Sequence, residues 1–389
     1  MAGADTTKPA KTQRRKLFDL HSWVGYHLAV LMSVVLLTGT LATISDELDW
    51  LTKPAMRITP QDDVLSWGAL ETGLRNVAGS DRLQFIQAGE GSRHAWRGRF
   101  ADQDGRTYYL FVDPHTAQVQ GRSSGLTIQR FLRDLHRYLF FPGVIGLPLV
   151  CSMAIVLAIS LYTGLMTTRR WSTAAFRVRM DRGVRIAVGD WHKAAGLWGS
   201  WLIILMIVTS LWYVAEFAAE IAGDGFEPTR PTMEARISTQ IASLDRHIAI
   251  VKVAFPELKP TQVLFPTRDG EALTIVGRAG DILLRDRANR VFLDPASAEI
   301  IQVQRAEEIG WLAWLNEMAD PLHFGDFGGL TTKLIWFTFG IALTSLSLTG
   351  VWLTARRLRA LRITRTQIAT MPVLLASAIV FAFYVQRFA

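Results

Sequence analysis

The sequence predicts a mainly α-helical polytopic membrane protein with two α+β domains outside the bilayer. Three observations lead there. Five stretches come close to or exceed the about 20 apolar residues that a membrane helix needs. Basic residues crowd the short segments on one side of these stretches. Two long polar segments, each of about 100 residues and so of domain size, separate them and carry strand-like runs of their own.

Composition narrows the function classes. The chain has 389 residues, half of them apolar, with 13 tryptophans and a formal charge of +8. Its mean hydropathy is only mildly positive, +0.20, which suits a mixture of spans and water-facing domains. A basic balance can signal nucleic acid. Here the positive residues sit beside apolar runs, so a lipid bilayer is the expected partner and nucleic acid is not. The single cysteine, Cys151, lies inside an apolar run. That argues against a disulfide framework, a thiolate zinc site and an iron–sulfur cluster, and it rules out the C-x-x-C-H of covalent haem.

The elements follow in order. Residues 1–44 hold a cytoplasmic N-terminus and the first span, whose apolar part runs from 22 to 44. "KTQRRK" precedes it, but the apolar run exceeds the ~7–15 residues of a signal core and lacks a clear cleavage site, so it reads as a retained anchor. Residues 45–143 form the first outer domain, with a helix over 66–78 and the strand "RTYYLFVDP" (106–114) ending in an Asp-Pro turn. The second span covers 144–168. A basic loop, 169–193, follows, with Arg169, Arg170, Arg177, Arg179, Arg182 and Arg185. The third span covers 194–215. Residues 216–332 form the second outer domain, with a helix over 232–254 and the strand "NRVFLDP" (289–295). The fourth span covers 333–355, and a second basic loop, 356–368, carries Arg356, Arg357, Arg359, Arg362 and Arg365. The fifth, 369–389, is the weakest, being short and holding Pro372. With Lys11, Arg14, Arg15 and Lys16 ahead of the first span, all three basic clusters fall on one side, which the positive-inside rule assigns to the cytoplasm. The two large segments then lie outside. In a bacterium with two membranes this means a multi-pass protein of the inner membrane with periplasmic domains.

The chain is a duplication. In "LHSWVGYHLAVLMSVVLLTG" (20–39), His21 is followed four residues later by Gly25 and thirteen after that by Thr38; His192, Gly196 and Thr209 repeat the spacing in "WHKAAGLWGSWLIILMIVTS" (191–210). His136 precedes Thr163 by 27 residues, and His323 precedes Thr349 by 26. Between these anchors "FVDPHTAQV" (111–119) matches "FLDPASAEI" (292–300). Each half is helix, outer domain, helix, and four spans form a duplicated bundle with the fifth left over.

The repeat gives four histidines a meaning that their types alone lack. About a pseudo-two-fold axis along the membrane normal, His21 faces His192 near the cytoplasmic side, and His136 faces His323 near the outer side. Two neutral imidazoles on facing helices suit the axial positions of a haem iron in an apolar slot. Gly25, Gly196, Gly143, Gly146, Gly328 and Gly329 would let a macrocycle approach. The ordinary reading of one histidine at a span end is an interfacial polar residue; four at repeat-matched places argue against it. Zinc or copper would be poorly served by two histidines per layer, although Asp320 and Asp326 flank His323 and leave an outer metal site as an alternative. His27 is expected in packing, and His94, His115 and His247 on solvated surface. Thr38-Gly39, Thr163-Gly164 and Thr349-Gly350, with Thr209-Ser210 in the third helix, are expected to permit close helix contact. Trp23, Trp191, Trp198, Trp201, Trp212, Trp336 and Trp352 read as an interfacial belt. Lys193 and Lys333 are candidates for pairing with haem propionates.

These residues resemble the PepSY-associated transmembrane proteins, also called iron-regulated membrane proteins. The resemblance spans about residues 15–360 and rests on "LHSWVG" (20–25), "DLHRYLF" (134–140), "DWHKAAGLW" (190–198), "PLHFGDFGG" (321–329), the Thr-Gly pairs and the two "DP" strands of PepSY-like domains. It implies two b-type haems, with His21 and His192 holding the cytoplasmic-side haem iron and His136 and His323 the periplasmic-side one. It further implies an oxidoreductase, a ferric-siderophore reductase that passes electrons to a periplasmic ferric-siderophore and so releases Fe(II). The third glycine of the pattern is absent at "TSLW" (209–212), a change not expected to affect ligation. No flavin or NADPH domain is fused, so a separate donor, a quinol or a cytoplasmic reductase, is expected. Two other functions compete. One is a non-redox membrane protein whose PepSY-like domains bind or inhibit an envelope protein such as a peptidase. The other is a metal permease, for which the spans supply almost no carboxylates, Glu216 excepted.

Overall fold

The computed structural model describes residues 8–233, 242–357 and 365–385. Arg359 and Arg362 of the second basic loop, part of the helix expected over 232–254, and the side chains of Lys11 and Arg365 lie outside the described residues. In chain order the first half holds α1 (Lys8–His27), α2 (Ala29–Ala42), α3 (Ser45–Thr52), α4 (Trp67–Ala78), β1 (Arg82–Gln87), β2 (Trp96–Ala101), β3 (Thr107–Val112), β4 (Val119–Ser124), α5 (Ile128–Tyr138), α6 (Gly143–Cys151), α7 (Met153–Thr167) and α8 (Trp171–Phe176). The second holds α9 (Val184–Trp198), α10 (Ser200–Ala222), α11 (Leu244–Ala254), β5 (Lys259–Leu264), β6 (Leu273–Arg278), β7 (Asn289–Leu293), β8 (Ile300–Gln304), α12 (Gly310–Phe324), α13 (Gly329–Arg357) and α14 (Arg365–Val385). They form two compact units. One gathers the chain up to Ile44, Leu132–Phe217 and His323–Ala382; the other gathers Ser45–Phe131 and Ala218–Leu322 with the end of the chain.

The first unit is helical. Three of its helices are long and apolar enough to cross a membrane: Gly143–Thr167, Ser200–Ala222 and Gly329–Arg357. The expected first span is broken. α1 and α2 meet at Leu28 with a bend of 70°, and together they would make a fourth span. Within α14, Thr370–Val385 is a shorter apolar helix. Small polar residues lock α2 to α13. The Ser33 and Ser347 hydroxyls meet at 2.8 Å and those of Thr40 and Thr344 at 3.2 Å. A Cβ on Gly340 would stand 2.7 Å from Thr40 Oγ1, so glycine is what lets these helices close. Trp336, expected in the interfacial belt, instead packs in the core with Leu202, Ile203 and Leu343.

The second unit is built on one antiparallel sheet in the order β4-β3-β2-β1-β5-β6-β7-β8. The sequence predicts two separate α+β domains; the structure joins their four-stranded sheets edge to edge, with Ile86 opposite Val263 at the seam. Each sheet alone would leave β1 or β5 as an unpaired edge, and pairing them removes both. A single core follows. Leu70 and Leu74 of α4 and Ile248 and Val251 of α11 cover Ile86, Phe100, Val112, Val263, Ile275 and Leu293. The repeated Asp-Pro turns explain themselves. Asp113 accepts the amide of His115, Asp294 those of Ala296 and Ser297, and Ala117 and Ala298 both take a left-handed φ, 56° and 62°.

Candidate functional site: two histidine pairs

All four predicted histidines fall in the helical unit, and the structure brings them together as two pairs. His21 on α1 and His192 on α9 lie with ring centroids 6.1 Å apart and planes at 80°. His136 on α5 and His323 at the end of α12 also lie 6.1 Å apart, with planes at 42°. The outer pair therefore sits on short helices that precede the spans rather than on the spans themselves.

Each ring is held at Nδ1 by the other helix of its own half. His21 Nδ1 is 3.1 Å from both the Ser160 carbonyl and Thr163 Oγ1 on α7. His192 Nδ1 is 2.9 Å from Thr349 Oγ1 on α13. His323 Nδ1 is 2.8 Å from Thr209 Oγ1 on α10, and His136 Nδ1 is 2.9 Å from the Val35 carbonyl on α2. A carbonyl can only accept, so His21 and His136 donate from Nδ1. The threonine hydrogens are already spent: Thr163, Thr209 and Thr349 donate to the carbonyls of Ile159, Leu205 and Ser345 at 2.6–2.8 Å. Their oxygens therefore accept from the histidines. This network assigns the Nδ1–H tautomer to all four rings and leaves Nε2 of each with its lone pair.

The threonines thus orient the rings, a role beyond the helix packing expected of them. Their repeat-matched spacing to the histidines was the signal available in the sequence. Gly164 and Gly350 sit beside the rings of His21 and His192, where an added Cβ would stand 3.3 and 3.5 Å from Cε1. Gly39 is closer still to His136, at 2.6 Å.

A family model, the PepSY-associated TM region, matches residues 18–357, which takes in both pairs. The chain belongs to this family. No curated protein matches it.

In this PepSY-associated protein the inner pair opens on a cavity of about 1080 Å³ that both His21 and His192 line. Gly25 and Gly196 face it as well. A Cβ on Gly25 would meet nothing within 4 Å, and one on Gly196 only Leu346 at 3.7 Å. Three of the other four glycines have local work instead. Gly146 lies so near Tyr138 that a Cβ would be 2.4 Å from its carbonyl, a Cβ on Gly328 would strike Thr332, and Gly329 takes a φ of 63°. Nothing comes closer to a Cβ on Gly143 than Tyr138, at 3.8 Å. Asp190, two residues before His192, receives Arg179 through both Nε and Nη2 at 2.7 and 2.9 Å, with Lys193 at 3.4 Å. The Arg179 hydrogen bonds hold its carboxyl well below the usual carboxylate range.

The pairs suit a ligand that takes two trans imidazoles. With metal–nitrogen bonds of about 2.0–2.1 Å, two imidazoles on opposite sides of one ion have centroids about 6.3 Å apart, whatever their relative twist. Nitrogen with its second ring N–H fixed by an oxygen is also the usual state of a ligating histidine. The alternative of a dedicated metal site finds no support. Among the described residues no group of three or more His, Cys, Asp or Glu is placed to hold an ion, and Asp320 pairs with Arg285 at 2.8 Å. His27 donates to the Trp23 carbonyl and stacks on its ring. His247 departs from the expected solvated surface: it is fully buried, its ring nitrogens meeting the carbonyls of Ser243 and Asp294. Burial suits it because both nitrogens find backbone partners. Lys193 lines the inner cavity, whereas Lys333 is buried in the helical unit.

Proposed function

We propose that this PepSY-associated membrane protein is a di-haem b electron-transfer protein of a bacterial inner membrane. It passes electrons to a ferric-siderophore in the periplasm, where weaker chelation of Fe(II) releases the metal. One observation carries the reading: two histidine pairs at 6.1 Å, with a protein oxygen at Nδ1 of every ring. His21 and His192 would hold one b-type haem and His136 and His323 the other. Bound there, haem supplies one-electron chemistry between Fe(III) and Fe(II). The chain's own residues do the rest. Thr163, Thr209, Thr349 and the Val35 carbonyl keep the proton on Nδ1 and fix each ring. Apolar side chains around the rings, among them Leu157, Leu161 and Leu343, keep water from the slot. With both imidazoles of each pair holding a haem, these histidines would not bind the ferric chelate themselves. Under the positive-inside rule the basic loops support a cytoplasmic position for the His21–His192 side.

Purified protein from haem-replete cells should show a Soret band that shifts on dithionite reduction, with two haems per chain by pyridine haemochrome assay. A colourless, fully folded preparation would reject this function.

A further inference from the structure

We propose that the inner cavity also docks the electron donor, and that this donor is a soluble, phosphate-bearing flavin hydroquinone. The inference rests on the reading that His21 and His192 hold a haem.

Charge comes first. The cavity is lined by Arg14, Arg169, Arg170, Arg177, Arg179, Arg185, Lys193 and Arg357, against the single carboxylate of Asp190. Asp190 is taken by Arg179 and Lys193, and Arg357 reaches Asp19 at 3.3 Å. Arg14 donates to the Thr167 carbonyl. Arg169, Arg170, Arg177 and Arg185 have no carboxylate partner among the described residues, and all four are exposed. Two propionates of one haem would neutralise two of them. The remaining positive charge lines a concave wall, where it favours a further anion. Space is consistent with that, since about 1080 Å³ exceeds the ~300–1,000 Å³ range of single-ligand pockets. The same wall offers a ring face. Phe18 lines the cavity, is 44% exposed, and carries the Arg357 guanidinium 5.0 Å above its ring. The ring system of a flavin can pack against such a surface.

Redox chemistry selects within the anions. A bis-imidazole iron exchanges single electrons, so a pure hydride donor cannot load it. A quinol gives single electrons but is uncharged and lipid-borne, and makes no use of four arginines. A flavin hydroquinone with a phosphate meets both demands. Oxidation of one anionic flavin hydroquinone to flavin releases two electrons and one proton. The electrons reduce two ferric irons to ferrous, one each, and the proton leaves to the cytoplasm.

The test uses full-length, haem-loaded protein in detergent without oxygen. Reduced flavin mononucleotide should bleach the ferric Soret band at least about tenfold faster than reduced riboflavin, which lacks the phosphate. The advantage should vanish at high salt and shrink in the triple variant R169Q/R170Q/R177Q, compared per haem retained by that variant. Oxidised flavin mononucleotide should show saturable fluorescence quenching that riboflavin does not. Equal rates and equal quenching for the two flavins in wild-type protein would overturn the proposal without any variant. A preparation lacking a Soret band would sink the haem reading; one that has the band yet treats both flavins alike sinks this inference alone.

Discussion

His136 and His323 hold matching places in the two halves, yet different atoms hold them. His136 donates to the backbone carbonyl of Val35, and His323 to the hydroxyl of Thr209. The neighbouring residues differ too. In the first half Gly39 leaves the ring free to lie against the helix, at a place where any Cβ would be 2.6 Å from it. In the second half the matching residue is Ser210. The inner rings, each beside a glycine, both reach threonine hydroxyls, so a glycine neighbour does not by itself select the acceptor. The ring spacing is 6.1 Å in both pairs. The missing third glycine therefore leaves His323 beside its partner.

The sharpest way to break this comparison is to empty one layer. His192→Ala should reduce the haem content from two per chain to one, read by pyridine haemochrome, and leave the outer pair's absorbance intact; loss of neither haem would reject the pairing. Next in size, Thr349→Val removes the acceptor of His192 Nδ1–H and should weaken inner haem retention about 10–100-fold, measured by transfer to apomyoglobin. Thr209→Val should do the same to the outer haem, whereas Thr38→Val should not, because His136 relies on a carbonyl. Gly39→Ala is smaller. Its methyl meets the His136 ring and should cost about 1–3 kcal/mol of stability, seen as a lowered unfolding temperature, with Ser210→Ala close to neutral.

The sheet offers a last contrast between the halves. Tyr108 on β3 gives its hydroxyl to Asp81 at 2.6 Å, and burial together with that bond pushes its phenol up to about 12. Asn289, its counterpart by the alignment of the Asp-Pro turns, does not titrate. An unfolded tyrosine loses its proton near about pH 10. Above that pH the unfolded chain binds fewer protons than the folded one, so stability present below pH 10 should fall until about pH 12. Denaturant midpoints across that window should decline in wild-type protein and decline less in Tyr108→Phe.

Much of the site was legible in the sequence because the chain is a duplication. The equal spacing of His21 to Thr38 and of His192 to Thr209 singles out histidines that would otherwise read as interfacial. His27 and His247 carry no such match, and both are satisfied by backbone carbonyls. What stayed hidden depends on contacts between distant segments. The threonines' role needs α1 beside α7 and α9 beside α13. The break at Leu28 carries no proline or glycine to announce it. The joining of the two four-stranded sheets is a pairing of β1 with β5 that neither strand's pattern specifies.

By itself the sequence determined three apolar helices of span length, the basic clusters beside apolar runs, the repeat, and the four histidines, because each is written in local composition or fixed spacing. Only the tertiary structure decided which oxygen holds each ring, which ring nitrogen meets it, and that eight strands make one sheet. Hydrogen bonds and strand edges are satisfied by whatever the fold brings near, and that is set by packing across more than a hundred residues of chain.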